Sequence, residues 1–376
     1  MSRDEIYLEL CRAVEEEPFY VFGDKKDLEY EYFSNAYRLF LGIAPQLEAL
    51  VLMCDKEGVG VSDYEKFEEI CSAFPMLVGS TVHSAVRELL TRLFDLKLPI
   101  NKENAPAIWR AFCGDGMGIG GREIMNAMDV RCVPVCQISS VPKGVENTDE
   151  LCAVAENLCQ KALDEKGILS ISLSEDFEFV KPSVYGVNTV LAKAQAGGKI
   201  SERERDMLTI QSLRSLMPIA KGCGLSIHLS AKTGGQLASL LEYLNGSVGL
   251  ANILLVAKNS VSELKKFIYS LPPEILECVL PAGAEEASSA DALRGYMHVF
   301  PIERLPHLGF LSSAMGFENI AEQCALRRSL CMLLADALDE DELALAKFTV
   351  RQVCGGNICA IQKGENRCEK SSILGL

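Results

Sequence analysis

The sequence predicts an α/β fold of parallel β/α units, interrupted after its first strand by a block of helices. Three observations carry this reading. Short apolar runs rich in β-branched residues recur along the chain, helical patterns alternate with the later ones, and residues 28–128 read almost wholly as helix. A run with apolar residues on both faces is a strand covered on both sides, the condition of a strand in a parallel sheet packed under helices. Alternation of such strands with helices gives β/α units.

Seven runs meet the strand criterion: 19–23 (FYVFG), 131–138 (RCVPVCQI), 168–173 (ILSISL), 225–230 (LSIHLS), 252–257 (NILLVA), 276–281 (LECVLP) and 308–313 (LGFLSS). An eighth is not legible. Helical spacing marks 233–244, 260–270, 287–299 and 320–338, each following a strand. Within the helical block, apolar residues recur at helical spacing in 64–74 and 81–94 (TVHSAVRELLTRLF), and Asn101 or Asn104 would cap a further helix over 101–109. The expected organisation is a barrel domain from 1–27 and 129–364, a helical insertion at 28–128, and a charged, fraying tail at 365–376.

Composition narrows the function classes. The 376 residues are 48% hydrophobic and 24% charged, ordinary for a globular protein. A net charge of −15 with scattered basic residues argues against nucleic acid as a partner, since phosphate binding needs clustered Lys and Arg. No apolar run reaches the roughly 20 residues of a membrane span, and the acidic N-terminus has no signal-peptide core, so the expected setting is cytoplasmic, with no membrane partner. The 15 cysteines are odd in number and form no CxxC, which reads as reduced thiols packed as small hydrophobes. A GxGxxG-like spacing at 116–121 follows no strand, and reads as a loop between helices rather than a dinucleotide site.

Several segments carry a resemblance. In 56–109 the chain has a Gly-Val pair, 63–67 (DYEKF), Glu88-Leu89, Arg92, Phe94, 99–101 and Ile108-Trp109; further on come His228 within 226–231 (SIHLSA), 327–334 (RRSLCMLL) and 349–357 (TVRQVCGGN). In this order and spacing they resemble the uronate (glucuronate) isomerases. The resemblance implies a (β/α)8-type TIM barrel of the amidohydrolase kind, here open to the loss of one β/α unit, with the helical insertion after strand 1. It also implies interconversion of D-glucuronate or D-galacturonate with the matching keto acid by proton transfer between two carbons. That chemistry needs a base and a group to polarise the carbonyl, commonly a divalent metal.

The same resemblance exposes what is missing. The family's first strand carries His-x-His as metal ligands, whereas 19–23 holds no histidine and no His-x-His occurs anywhere in the chain. The family's last strand ends in Thr-Asp-Ser-Arg-Ser-Phe; aligned through Arg327-Arg328, this chain has Ser313 for the aspartate and Met315 for the arginine. A hydroxyl is a poor substitute for a carboxylate on a hard cation, and a thioether cannot fork onto a sugar carboxylate. Only His83, His228, His298 and His307 remain as histidines.

The expectation is therefore a catalytically impaired uronate isomerase-like protein that binds a small sugar acid or serves in assembly, self-association included. The alternative is an active isomerase, or another sugar-acid enzyme, with a rebuilt, metal-independent site. His228, His83 and Glu285 are the candidate catalytic residues, and Ser313 and Met315 the substrate positions at the barrel mouth. No metal site and no cofactor are expected.

Overall fold

The computed structural model describes residues 2–23, 25–53, 61–78, 80–113, 118–138, 144–174, 176–220, 224–229, 234–257, 267–276, 278–284, 293 and 316–356. The chain divides into two units, Met1–Val133 with Ala314–Gly355, and Pro134–Ser313 with Gly356–Leu376.

The first unit begins with α1 (Arg3–Glu15), started by a capping box in which the Ser2 hydroxyl accepts from the Glu5 N–H and the Glu5 carboxylate accepts from the Ser2 N–H. Strand β1 (Phe19–Phe22) follows, then α2 (Lys25–Tyr30), the two-residue β2 (Tyr32–Phe33), α3 (Ala36–Ile43), α4 (Glu48–Met53), α5 (Asp63–Ala73), α6 (Thr81–Phe94) and α7 (Ala105–Cys113). After β3 (Ile119–Gly120) and α8 (Gly121–Ala127), β4 (Val130–Val133) pairs in parallel with β1, Phe19 opposite Val130 and Val21 opposite Cys132.

The helical pattern read over 64–74 and 81–94 forms α5 and α6. The helix expected from residue 101 begins at Ala105; Asn101 instead holds the preceding turn, its side chain accepting from the Asn104 N–H at 2.9 Å. These helices bury one aromatic-rich core: Phe40 meets Phe67 edge-on at 5.1 Å and lies 6.3 Å from Phe74, and all three are about fully buried. Side chains of this size contribute roughly 1.5–3 kcal/mol each on burial. Gly121 lets α8 sit against α2, because a Cβ there would lie 1.8 Å from the Leu28 carbonyl oxygen.

The second unit carries a five-stranded parallel sheet in the order β5-β6-β7-β8-β9, with β5 at Val135–Gln137, β6 at Ile168–Ser172, β7 at Gly224–Leu229, β8 at Ile253–Ala257 and β9 at Val279–Ala284. Its helices are α9 (Thr148–Asp164), α10 (Val184–Gln195), α11 (Glu202–Leu216), α12 (Gly234–Val248) and the single turn α13 (Pro273–Leu276). Two helices and, among the described residues, no strand separate β6 from β7. Completing the first unit are α14 (Phe317–Ala337) and α15 (Leu343–Arg351).

Two strands differ from expectation. The run read at 276–281 begins three residues later, as β9 (Val279–Ala284), after the α13 turn that ends at Leu276. The run 131–138 is not continuous but breaks at Pro134 into β4 and β5. Proline has no N–H to give to a ladder; its carbonyl still accepts from Ile168 N at 2.8 Å. The strand expected at 308–313, the helix at 287–299 apart from Leu293, and the tail at 365–376 lie outside the described residues, as do Glu285, Ser313 and Met315.

Candidate functional site

In the parallel sheet of the second unit every strand ends on the same edge, and registered residues share a face. Two rows alternate. Cys136, Leu169, Leu225, Ile253 and Val279 stand in one register row, and Ile171, Ile227, Leu255 and Pro281 in the next row of that face. Cys136, on the first of these rows, packs near α9: burial pushes its thiol up, and Cys159, Lys161 and Glu165 from α9 and its C-terminus lie close enough to act on it. The intervening positions put Gln137, Ser170, Ser226 and Leu254 in one register row and Ser172, His228, Val256 and Ala282 in the next. His228 is thus in backbone register between Ser172 and Val256, near the C-terminal edge of the sheet.

Beyond β6 the chain turns at Ser174 and is held by Asp206 of α11. The Ser174 hydroxyl donates to one carboxylate oxygen at 3.2 Å and the Glu178 N–H donates to the other at 3.1 Å. Asp206 is only 3% exposed, and its burial raises its pKa despite these two donors. A further tie comes from α12, whose Gln236 side-chain oxygen accepts from the Phe179 N–H at 3.0 Å. The loop leaving Ser172 is thus fixed by two helices. Gln137 also lines a pocket of about 220 Å³ with Ile138, Leu151, Val154, Ala155, Leu158 and Ser212, a mostly apolar space beside α9.

His83 lies in the other unit. On α6, with its N–H donating to the Ser80 hydroxyl at 3.2 Å, it packs its ring 5.4 Å from that of Phe74. Burial lowers its pKa, and Arg87 and Arg328 add to the effect. The structure therefore gives His83 an aromatic neighbour within the first unit.

Strand β1 is where the resemblance would put two metal-binding imidazoles. It reads Phe19, Tyr20, Val21, Phe22, the first three buried. Phe19 lies under the Arg327 guanidinium at 3.9 Å. Tyr20 is held on its backbone by the buried amide of Gln323, which donates to the carbonyl at 2.7 Å and accepts from the N–H at 3.4 Å. Aromatic and aliphatic side chains packed in this way do not fit a hard divalent cation. Among the described residues, no three His, Cys, Asp or Glu side chains are grouped to hold a metal ion, and no helix is long and apolar enough to cross a membrane.

No family model matches the sequence, and no curated protein matches it. Solved structures do. The chain superimposes on a uronate isomerase from Thermotoga maritima with a TM-score of 0.64 and 13% identity, covering 95% of this chain and 97% of that one. With a glucuronate isomerase from Caulobacter crescentus the TM-score is 0.68 at 11% identity, covering 97% and 95%. The fold is uronate isomerase-like. At this identity the likeness is one of backbone, so the chemistry rests on the side chains just described.

Sequence reasoning missed Asp206 and Gln323, and gave Arg327 only as an alignment anchor. Their signal was helical period: Asp206 shares a stripe with Thr209, Ile210 and Leu213, and Arg327 with Ile320, Cys324, Cys331 and Leu334, all of them buried.

Proposed function

We propose that this protein is a uronate isomerase-like barrel that binds a small sugar acid without isomerising it. One observation carries the reading: on the strand where the resemblance calls for imidazole ligands, the side chains are Phe19, Tyr20, Val21 and Phe22, the first three buried, with Arg327 over the Phe19 ring and Gln323 on the Tyr20 backbone. Restoring a metal there would mean repacking a core, not adding a ligand. Ser313 and Met315, in place of a carboxylate and a guanidinium, support the same conclusion.

Binding is a separate matter from turnover. In a (β/α)8 barrel the helices cover the outer face of the strands, and ligands meet the C-terminal ends. Ser170, Ser172, Ser226 and His228 hold alternate positions in register on β6 and β7, with Ser172 and His228 nearer the strand C-terminal ends, where a ligand of such a barrel would meet them. Hydroxyls and an imidazole are suited to sugar hydroxyls and to one carboxylate.

Calorimetric titration with D-glucuronate and D-galacturonate tests this. Saturable binding weakened about tenfold by His228→Ala, the cost of about 1.4 kcal/mol, agrees with the reading. Absence of binding by either sugar acid at millimolar concentration overturns the ligand assignment, and turnover of either overturns the loss of catalysis.

A further inference from the structure

We propose that Cys11 and Cys331 form a peroxide-reactive thiol pair that closes to a disulfide between α1 and α14. The two helices pack on each other within the first unit. The Cys11 thiol is in hydrogen-bond contact with that of Cys331 and with the hydroxyl of Tyr7, one turn earlier in α1. Both cysteines line a cleft of about 240 Å³ shared with Leu8, Glu88, Arg92 and Arg328. Cys11 is partly open to it, whereas Cys331 is buried.

The electrostatics divide the roles. The Cys331 S–H, above all, holds the Cys11 thiol down to about 7, against the burial that would raise it; Tyr7 and Arg328 help and Glu15 opposes. The Cys331 thiol is pushed upward by the same hydrogen bond and by burial. Of the other charged groups on the cleft, Glu88 is already paired with Arg92 at 2.9 Å, and Arg327 is engaged by backbone carbonyls. Cys11 is therefore the attacking group, because the thiolate is the nucleophile, and Cys331 the resolving one. Elsewhere in the unit, burial drives the thiols of Cys71 and Cys324 up to about 12 and that of Cys354 to about 11.

The chemistry balances with hydrogen peroxide as oxidant. The Cys11 thiolate attacks one peroxide oxygen, the O–O bond breaks, and hydroxide leaves to take up a proton as water. Cys11 is then a sulfenic acid. The Cys331 sulfur, on losing its proton, attacks the Cys11 sulfur; the S–O bond breaks, a second water leaves and the disulfide forms. Two electrons pass from the thiol pair to the peroxide.

The test uses the full reduced chain treated with a small excess of hydrogen peroxide, then iodoacetamide, digestion and mass mapping. A cross-linked peptide joining residues 11 and 331, two hydrogens lighter than the sum of its parts and absent from the Cys11→Ser variant, is the expected result. In a companion measurement on the untreated protein, Cys11 alkylation should show a midpoint near pH 7 that moves upward in Cys331→Ala. Recovery of Cys11 as the alkylated thiol or as a sulfinic acid with no bridge overturns the proposal. So does a bridge from Cys331 to Cys354 in place of Cys11.

Discussion

Replacing Arg327 by methionine isolates the clamp that holds β1 in its present form. Its guanidinium donates to the carbonyls of Glu17 at 2.8 Å, Pro18 at 2.5 Å and, weakly, Val14 at 3.4 Å, and lies over the Phe19 ring at 3.9 Å. Two good charge-assisted bonds are each worth about 1.5–3 kcal/mol. The aromatic stacking adds about 1 kcal/mol. Against these stands the desolvation of a guanidinium only 5% exposed, which methionine relieves, and methionine fills similar space. The net loss comes to about 3 kcal/mol, mainly because the Glu17 and Pro18 carbonyls lose their donor. With a urea slope of about 2 kcal/mol per molar, the midpoint falls by roughly 1.5 M. Trp109, the chain's one tryptophan, reports on this unit, packed against Tyr64 at 5.2 Å and Phe67 at 5.3 Å. Urea unfolding followed by its fluorescence should show that fall, with Arg327→Lys losing less because a cation remains. A methionine variant within about 0.25 M of the parent, or under about 0.5 kcal/mol by the same slope, would refute the reasoning.

Three further perturbations have defined outcomes. Gln323→Leu removes the amide that accepts from the Tyr20 N–H and donates to its carbonyl, and should cost about 1–3 kcal/mol in the same fluorescence assay, two hydrogen bonds at about 0.5–1.5 each. Gly121→Ala drives a Cβ to 1.8 Å from the Leu28 carbonyl oxygen, and should lower stability by about 1–3 kcal/mol, whereas Gly235→Ala, where the added atom meets nothing within 4 Å, should not. For Asp206, burial raises the folded-state pKa above the unfolded 3.8. The protonated folded form is then favoured, so its contribution to stability is complete below the unfolded pKa and is lost as pH rises through the folded one. The stability of the parent relative to Asp206→Asn should therefore grow as pH is lowered from 7 toward 4; a difference that shrinks contradicts the assignment.

The strands were legible because a covered parallel strand needs an apolar run and little else. The run 168–173 (ILSISL) forms β6, and 225–230 overlaps β7 within one residue. The helices α5 and α6 were legible from period, and from Ser62 and Ser80, whose hydroxyls accept from the Glu65 and His83 N–H groups at the two helix starts. Pro134 was visible too, yet the apolar residues on both sides read as one strand, since hydrophobic pattern does not report a missing donor. The buried polar residues were hidden for a different reason. Asp206 sits in a charged stretch (SERERD) and Arg327 beside Arg328, and such runs are usually solvated faces. Only packing decides which member of a run turns inward. The candidate site shows the same limit: His228 could be assigned to a strand from its neighbours, but its register with Ser172 and Val256 is encoded by no local pattern.

The central claim is that the uronate isomerase-like fold persists without the chemistry. Metal content and turnover, measured on one purified sample with D-glucuronate and D-galacturonate and with zinc or manganese supplied, test it most directly. The account predicts metal well below one equivalent and no conversion of either sugar acid. One equivalent of metal with turnover would contradict it, and would mean that groups other than β1 histidines rebuilt the site.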